Sequence, residues 1–123
     1  MKKTHSTHWK SSTQPRKQRK YRYNAPLHVK GTFLSVHLAK ELRQKHGTRS
    51  VRIRTGDRVR VLRGAFKGRE GKVTRVDVKE TKVFVEKIEN VKKDGATKVQ
   101  FALEPSNLML VELDTSDKKR LKK

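Results

Sequence analysis

The sequence predicts a mainly β protein: a small antiparallel barrel with one N-terminal helix ahead of it and basic extended tails at both ends. Three observations carry this prediction. Residues 50–113 fall into short runs of alternating apolar and polar residues divided by turn signals, which is the period of half-buried strands. Within them the run TGDRVRVLRGAFKGREGKVTRV, residues 55–76, sets two alternating stretches around a loop with glycines at Gly64, Gly68 and Gly71. The first 24 residues are instead polar and basic with no hydrophobic period, so they have little to bury.

Size and charge narrow the classes. A chain of 123 residues suffices for one domain. Only 32% of it is hydrophobic, so a core spans about two thirds of the length and the tails are left for a partner to order. Lys and Arg number 33 against 12 acids, a net charge of +21, which penalises compactness unless a polyanion is bound. Nucleic acid and an anionic membrane surface are the two candidates. Membrane insertion is not expected, since no apolar run approaches the ~20 residues of a spanning helix. The basic N-terminus has no apolar segment after it, so no secretory signal is expected. The absence of cysteine removes disulfides and thiolate metal sites and fits an intracellular protein. The charge is uneven: +9 over residues 1–30, +3 over 31–50, +6 over 51–90, zero over 91–113 and +3 over 114–123. The neutral stretch is expected to look away from the polyanion or toward a protein.

Each element follows in order. Residues 1–30 are expected to form a basic extended arm containing PRKQRKYRY, residues 15–23, where cations suit phosphates and Tyr21 and Tyr23 suit unpaired bases. Residues 31–50 hold the helix and a linker. Leu34, Leu38 and Leu42 recur at four-residue spacing, so SVHLAKELRQKH, residues 35–46, reads as that helix, with Ser35 as N-cap and Gly47 as a left-handed C-cap. Residues 51–113 form the barrel. Strands are expected over residues 50–54, 58–62, 71–78, 82–88, 98–103 and 108–113. Val73 and Val76 differ in parity, which predicts a bulge between them. Asp94-Gly95 marks a hairpin turn and Pro105-Ser106-Asn107 a break. Residues 114–123 are a charged tail.

The chain offers no set of residues suited to covalent chemistry. His5 and His8 have metal-like spacing but no third ligand nearby, so no metal is expected. Neither a nucleophile elbow nor a phosphate loop leading into a helix is present, and no cofactor or small-molecule substrate is expected. Asp57, the one acid at the head of the 55–76 run, is expected to cap its turn. Alternation turns Val59 and Val61 to one face and Arg58 and Arg60 to the other, where Arg52, Arg54 and Arg75 also project. An arginine row of this kind suits RNA, because the planar guanidinium grips phosphate bidentately and stacks on bases. Phe66 at the loop tip is open between an exposed stacking residue and core packing.

Gly56-Asp57, Val59, Val61, Gly64, Lys67-Gly68, Gly71 and Val73 resemble the KOW motif, found in large-subunit ribosomal proteins and NusG-type elongation factors. Three further segments, QPRKQRKYRYNAP (14–26), LAKELRQKHGTRSVRIRTGD (38–57) and PSNLML (105–110), resemble the archaeal and eukaryotic branch of the large-subunit ribosomal protein L twenty-four family. The likeness spans residues 14–113. A NusG-type factor would carry an additional α/β domain, for which the residues ahead of the motif are too few and too basic. The alternative reading is a KOW-type transcription-elongation module that binds RNA polymerase.

The resemblance implies a Src-homology-three-like barrel and a structural role, not an enzymatic one. The implied partners are large-subunit ribosomal RNA and neighbouring large-subunit proteins, with binding early in assembly near the mouth of the peptide exit tunnel; a homo-oligomer is not implied. Carried onto this sequence, the loop contacts are Arg63, Lys67, Arg69 and Lys72, with Gly64, Gly68 and Gly71 shaping the loop. The arm contacts are Arg16, Lys17, Arg19, Lys20 and Arg22. Arg58 and Arg60 join them from the strand face.

Overall fold

Eight strands and three helices appear in the computed structural model, which describes residues 5, 6, 8 and 11–121. Trp9, Lys122 and Lys123 lie outside the described residues. Two helices open the chain, α1 (Pro15–Asn24) and α2 (Leu27–Phe33). Strand β1 (Ser35–Leu38) precedes α3 (Lys40–His46), and β2 (Ser50–Arg52) follows it. Then come β3 (Arg58–Val61), β4 (Glu70–Asp77), β5 (Lys82–Val85), β6 (Glu89–Val91), β7 (Lys98–Gln100) and β8 (Leu108–Glu112). A single 3-10 turn at Pro105–Asn107 leads into β8.

The main sheet has the order β2-β1-β8-β3-β4-β5, and β6-β7 form a separate hairpin. All pairings in the main sheet are antiparallel except β1 with β8, which run parallel. The small, mainly β domain expected from the alternation is therefore present, but its sheet is mixed and does not close into a barrel. β2 and β5 are its two edges. The outer side of β5 is protected by Leu103, which exchanges both backbone hydrogen bonds with Val83 at 2.9 Å.

Alternation sets the core. β1, β3 and β5 each bury every second residue: Val36 and Leu38, Val59 and Val61, Val83 and Val85. Leu34, Ile53, Val73, Ile88, Leu103, Leu108 and Leu110 complete one continuous cluster. Each such side chain contributes about 1.5–3 kcal/mol by leaving water. The expected bulge is found: the register of β4 against β5 shifts between Val73 and Arg75.

The helix expected over residues 35–46 is corrected, together with its cap. Residues 35–38 are a strand in the sheet interior, not the first turn of a helix, and only residues 40–46 are helical. Leu34 and Leu38 are indeed buried, but so is Val36 between them, while Ser35 and His37 are exposed. That is a period of two, which the four-residue spacing concealed. Ser35 caps nothing; its hydroxyl donates to the Thr32 carbonyl at 3.0 Å. Gly47 does end α3 in the left-handed region, φ 65, with its N–H on the Arg43 carbonyl.

The N-terminal arm is not extended over residues 15–24 but helical, with Pro15 in the first turn, where its missing N–H costs nothing. The C-terminal tail is not extended either; it turns back and returns Arg120 to the core edge. The neutral stretch 91–113 is also not one face. It divides between the exposed β6–β7 hairpin and β8, which lies inside the sheet between β1 and β3.

Candidate nucleic-acid interface

The β3–β4 connection is built by backbone bonds that leave its side chains outward. Gly68 N–H donates to the Val61 carbonyl at 2.8 Å, and Val61 N–H to the Arg69 carbonyl at 2.9 Å, closing the base of the loop. Lys67 N–H reaches the Gly64 carbonyl at 3.2 Å. Gly64 and Gly68 take φ 99 and 87, a region that side chains rarely enter. Arg63, Lys67 and Arg69 are exposed on this frame. None of the three is in an ion pair among the described residues.

Phe66 resolves to packing. It is half-buried against the core, its ring is 5.2 Å from that of Phe101, and the Arg69 guanidinium lies 5.2 Å over it. Gly71 is not a loop residue. It sits in β4 opposite Val59, where an added Cβ would come within 2.8 Å of the Glu86 carbonyl oxygen and 2.9 Å of a Val85 methyl. Close approach of two backbones, not a turn, requires glycine there. Lys72 is exposed on the same strand, opposite Arg58.

Arg58 and Arg60 point outward, as the alternation predicts, yet both face acids. Glu70 accepts from Arg60 Nε at 2.7 Å and lies 3.5 Å from an Arg58 nitrogen, with Glu112 at 3.8 Å from the other. Part of the charge of these two arginines is thus already matched within the protein. The five α1 cations Arg16, Lys17, Arg19, Lys20 and Arg22 are all exposed. Arg22 lies 5.0 Å over the Phe33 ring, tying α1 to α2. A ten-residue helix carrying this much like charge is marginal by itself.

A groove of about 440 Å³ between β2 and β4 gathers Arg52, Arg54 and Arg75 around Ile53, Val76 and Val78. Arg75 is stacked 4.2 Å from the Phe84 centroid, which fixes its guanidinium at the rim. Arg54 is held by Asp117 of the tail at 2.8 Å. Chiefly that hydrogen bond, helped by the Lys119 N–H, keeps the Asp117 carboxyl below its ordinary value.

Asp57 caps its turn by accepting from Arg54 N–H at 2.9 Å, as expected. It also does what no local pattern announced. Fully buried, it accepts from Asp114 N–H at 3.0 Å and from both terminal nitrogens of Arg120, whose side chain is only 3% exposed. Arg120 further donates to the carbonyls of Arg52 and Asp114. Its signal in the sequence is one arginine among five cations in a tail.

Among the described residues no three histidine or acidic side chains cluster as metal ligands, and no helix is long and apolar enough to cross a membrane.

A small β domain of this charge, presenting a glycine-turned cationic loop, a cationic helix and an arginine groove, is a nucleic-acid-binding protein. Residues 12–123 match the family that unites the eukaryotic ribosomal proteins L twenty-six with the archaeal ribosomal proteins L twenty-four, and the chain belongs to that family. It is 56% identical over 111 residues to the large ribosomal subunit protein uL24 of Methanocorpusculum labreanum, covering 90% of this chain and 91% of the relative. The resemblance carried by the KOW motif and its flanking segments is thereby confirmed, and the transcription-module alternative is not favoured. The family is one of structural, non-enzymatic components of the cytoplasmic ribosome.

Proposed function

We propose that this ribosomal protein binds large-subunit ribosomal RNA as a two-handed clamp, with the β3–β4 loop and α1 neutralising phosphates of different RNA helices. The observation that carries this reading is the loop: three exposed cations, none in an ion pair among the described residues, on a backbone fixed by glycine turns and anchored to the core through Phe66. Release of counterions from the neutralised phosphates supplies the affinity. Arg63, Lys67 and Arg69 are the loop contacts, with Lys72 beside them on β4, and Arg16, Lys17, Arg19, Lys20 and Arg22 the helix contacts. Arg58 and Arg60 contribute less, being shared with Glu70. Recognition follows RNA shape more than sequence. The family resemblance supports early entry into the assembling subunit, a position near the mouth of the exit tunnel, and neighbouring large-subunit proteins as further partners. The protein acts as a single copy.

Sucrose-gradient sedimentation of a native extract tests the assignment. The protein is expected to travel with large subunits at about one copy each and to stay through moderate salt, coming off as phosphate contacts are screened. Migration with RNA polymerase or in the free pool would overturn it.

A further inference from the structure

The loop leaves unused a second concentration of cationic and aromatic chemistry. A cleft of about 440 Å³ lies between the two N-terminal helices and the β4–β5 turn, lined by Arg22, Tyr23, Lys30, Lys79, Glu80 and Thr81. Tyr23 leaves 82% of its surface in water, the most exposed of the large hydrophobic side chains described. The Lys30 ammonium stands 6.0 Å from its ring centroid and donates to the Lys79 carbonyl at 3.1 Å, which joins the two walls. The opposite wall is held rigid. Asp77 accepts from Glu80 N–H at 3.1 Å, and Thr81 is kept at φ 54, a conformation retained where the surroundings over-determine it. Glu80 enters no ion pair among the described residues although three cations line the same cleft.

We propose that this cleft holds one unpaired nucleotide of an RNA strand. Its base stacks on Tyr23 and its flanking phosphates lie against Arg22, Lys30 and Lys79. A phosphate cleft has no electrostatic use for a carboxylate, but a base with an exocyclic amino group does, because Glu80 can accept from it. Stacking is sequence-tolerant and single strands offer unstacked faces, whereas the bases of an A-form duplex are closed to an exposed ring. The inference rests on the chain being an RNA-binding protein and names a site on it beyond the loop.

The test uses the full chain and two fluorescent probes, a cytidine decamer and a blunt A-form RNA duplex, read by anisotropy. Tyr23→Ala is expected to weaken decamer binding about tenfold while duplex binding changes less than about twofold. Tyr23→Phe keeps the ring and is expected to behave as the parent chain. The cleft assignment is overturned if Tyr23→Ala leaves the decamer unaffected, weakens both probes alike, or is matched in its loss by Tyr23→Phe. It is also overturned if an acidic glutamate decapeptide displaces the decamer as well as unlabelled decamer does, which would make the cleft a site for a protein tail. A parent chain that binds neither RNA overturns the RNA-binding reading together with the cleft.

Discussion

A carboxylate with no exposed surface is tolerated when its lone pairs are taken, and Asp57 meets that condition with donors from Arg54, Asp114 and Arg120. Removing one partner strands the other in a place without water. Arg120→Ala is therefore expected to destabilise the domain by about 3–5 kcal/mol, read as a lowered urea midpoint. Arg120→Lys keeps the charge but not the two-pronged geometry, and should recover only part of the loss. An unchanged midpoint for Arg120→Ala would mean that the tail lies outside the cooperative unit. Asp117 differs because it is solvent-exposed, and its effect is local. Its carboxyl is held below the ordinary 3.8 first by Arg54 and then by the Lys119 N–H. A lowered folded value means that the stabilisation is fully present above 3.8 and fades as pH falls through the lowered value. The Lys119 amide resonance should accordingly shift in an NMR titration only below about pH 4.

At the scale of elements, the loop and the strand face it extends from should respond differently to RNA. Lys67→Ala is expected to lower the slope of log affinity against log salt by about one phosphate unit. Arg60→Ala should lower it less, because Glu70 already holds that guanidinium at 2.7 Å. Glu70→Gln releases Arg60 and leaves Arg58 only Glu112, and should tighten binding and steepen the slope, measured by the same titration. Tightening absent from Glu70→Gln would place RNA away from this face. The loop and strands were legible in the sequence because their signals are local: alternation for β3 and β5, opposed parity for the bulge, and paired glycines for the turns at Gly64 and Gly68. β1 was concealed by a coincidence of spacing, since Leu34, Leu38 and Leu42 satisfy a helical stripe while Leu34, Val36 and Leu38 satisfy a strand. What separated them was pairing with β2 and β8, which is remote in sequence. The same remoteness hid Gly71, whose neighbours Val85 and Glu86 lie at the end of β5 and just past it, and the cleft, whose walls lie some fifty residues apart. Helix α1 was masked by composition: its charge argues against a helix, and only Pro15 hinted at a start.

At the scale of the molecule, a net charge of +21 on 123 residues repels itself. Added monovalent salt is therefore expected to raise the melting temperature of the free protein and, in the same range, to dissociate its RNA complex; thermal scans and anisotropy at matched salt would show the two trends crossing. A melting temperature that ignores salt would mean that the cations are too far apart to interact. The buried pair of Asp57 and Arg120 has a further consequence, one of timing. Synthesis is vectorial, so the head of the 55–76 run and all eight strands are made before residue 120 exists. Until then Asp57 has a turn to cap but no cation to meet. Copies stopped at residue 113 should be cut by trypsin faster than whole ones. The turn at Asp57 is thus made 63 residues before the cation that neutralises it.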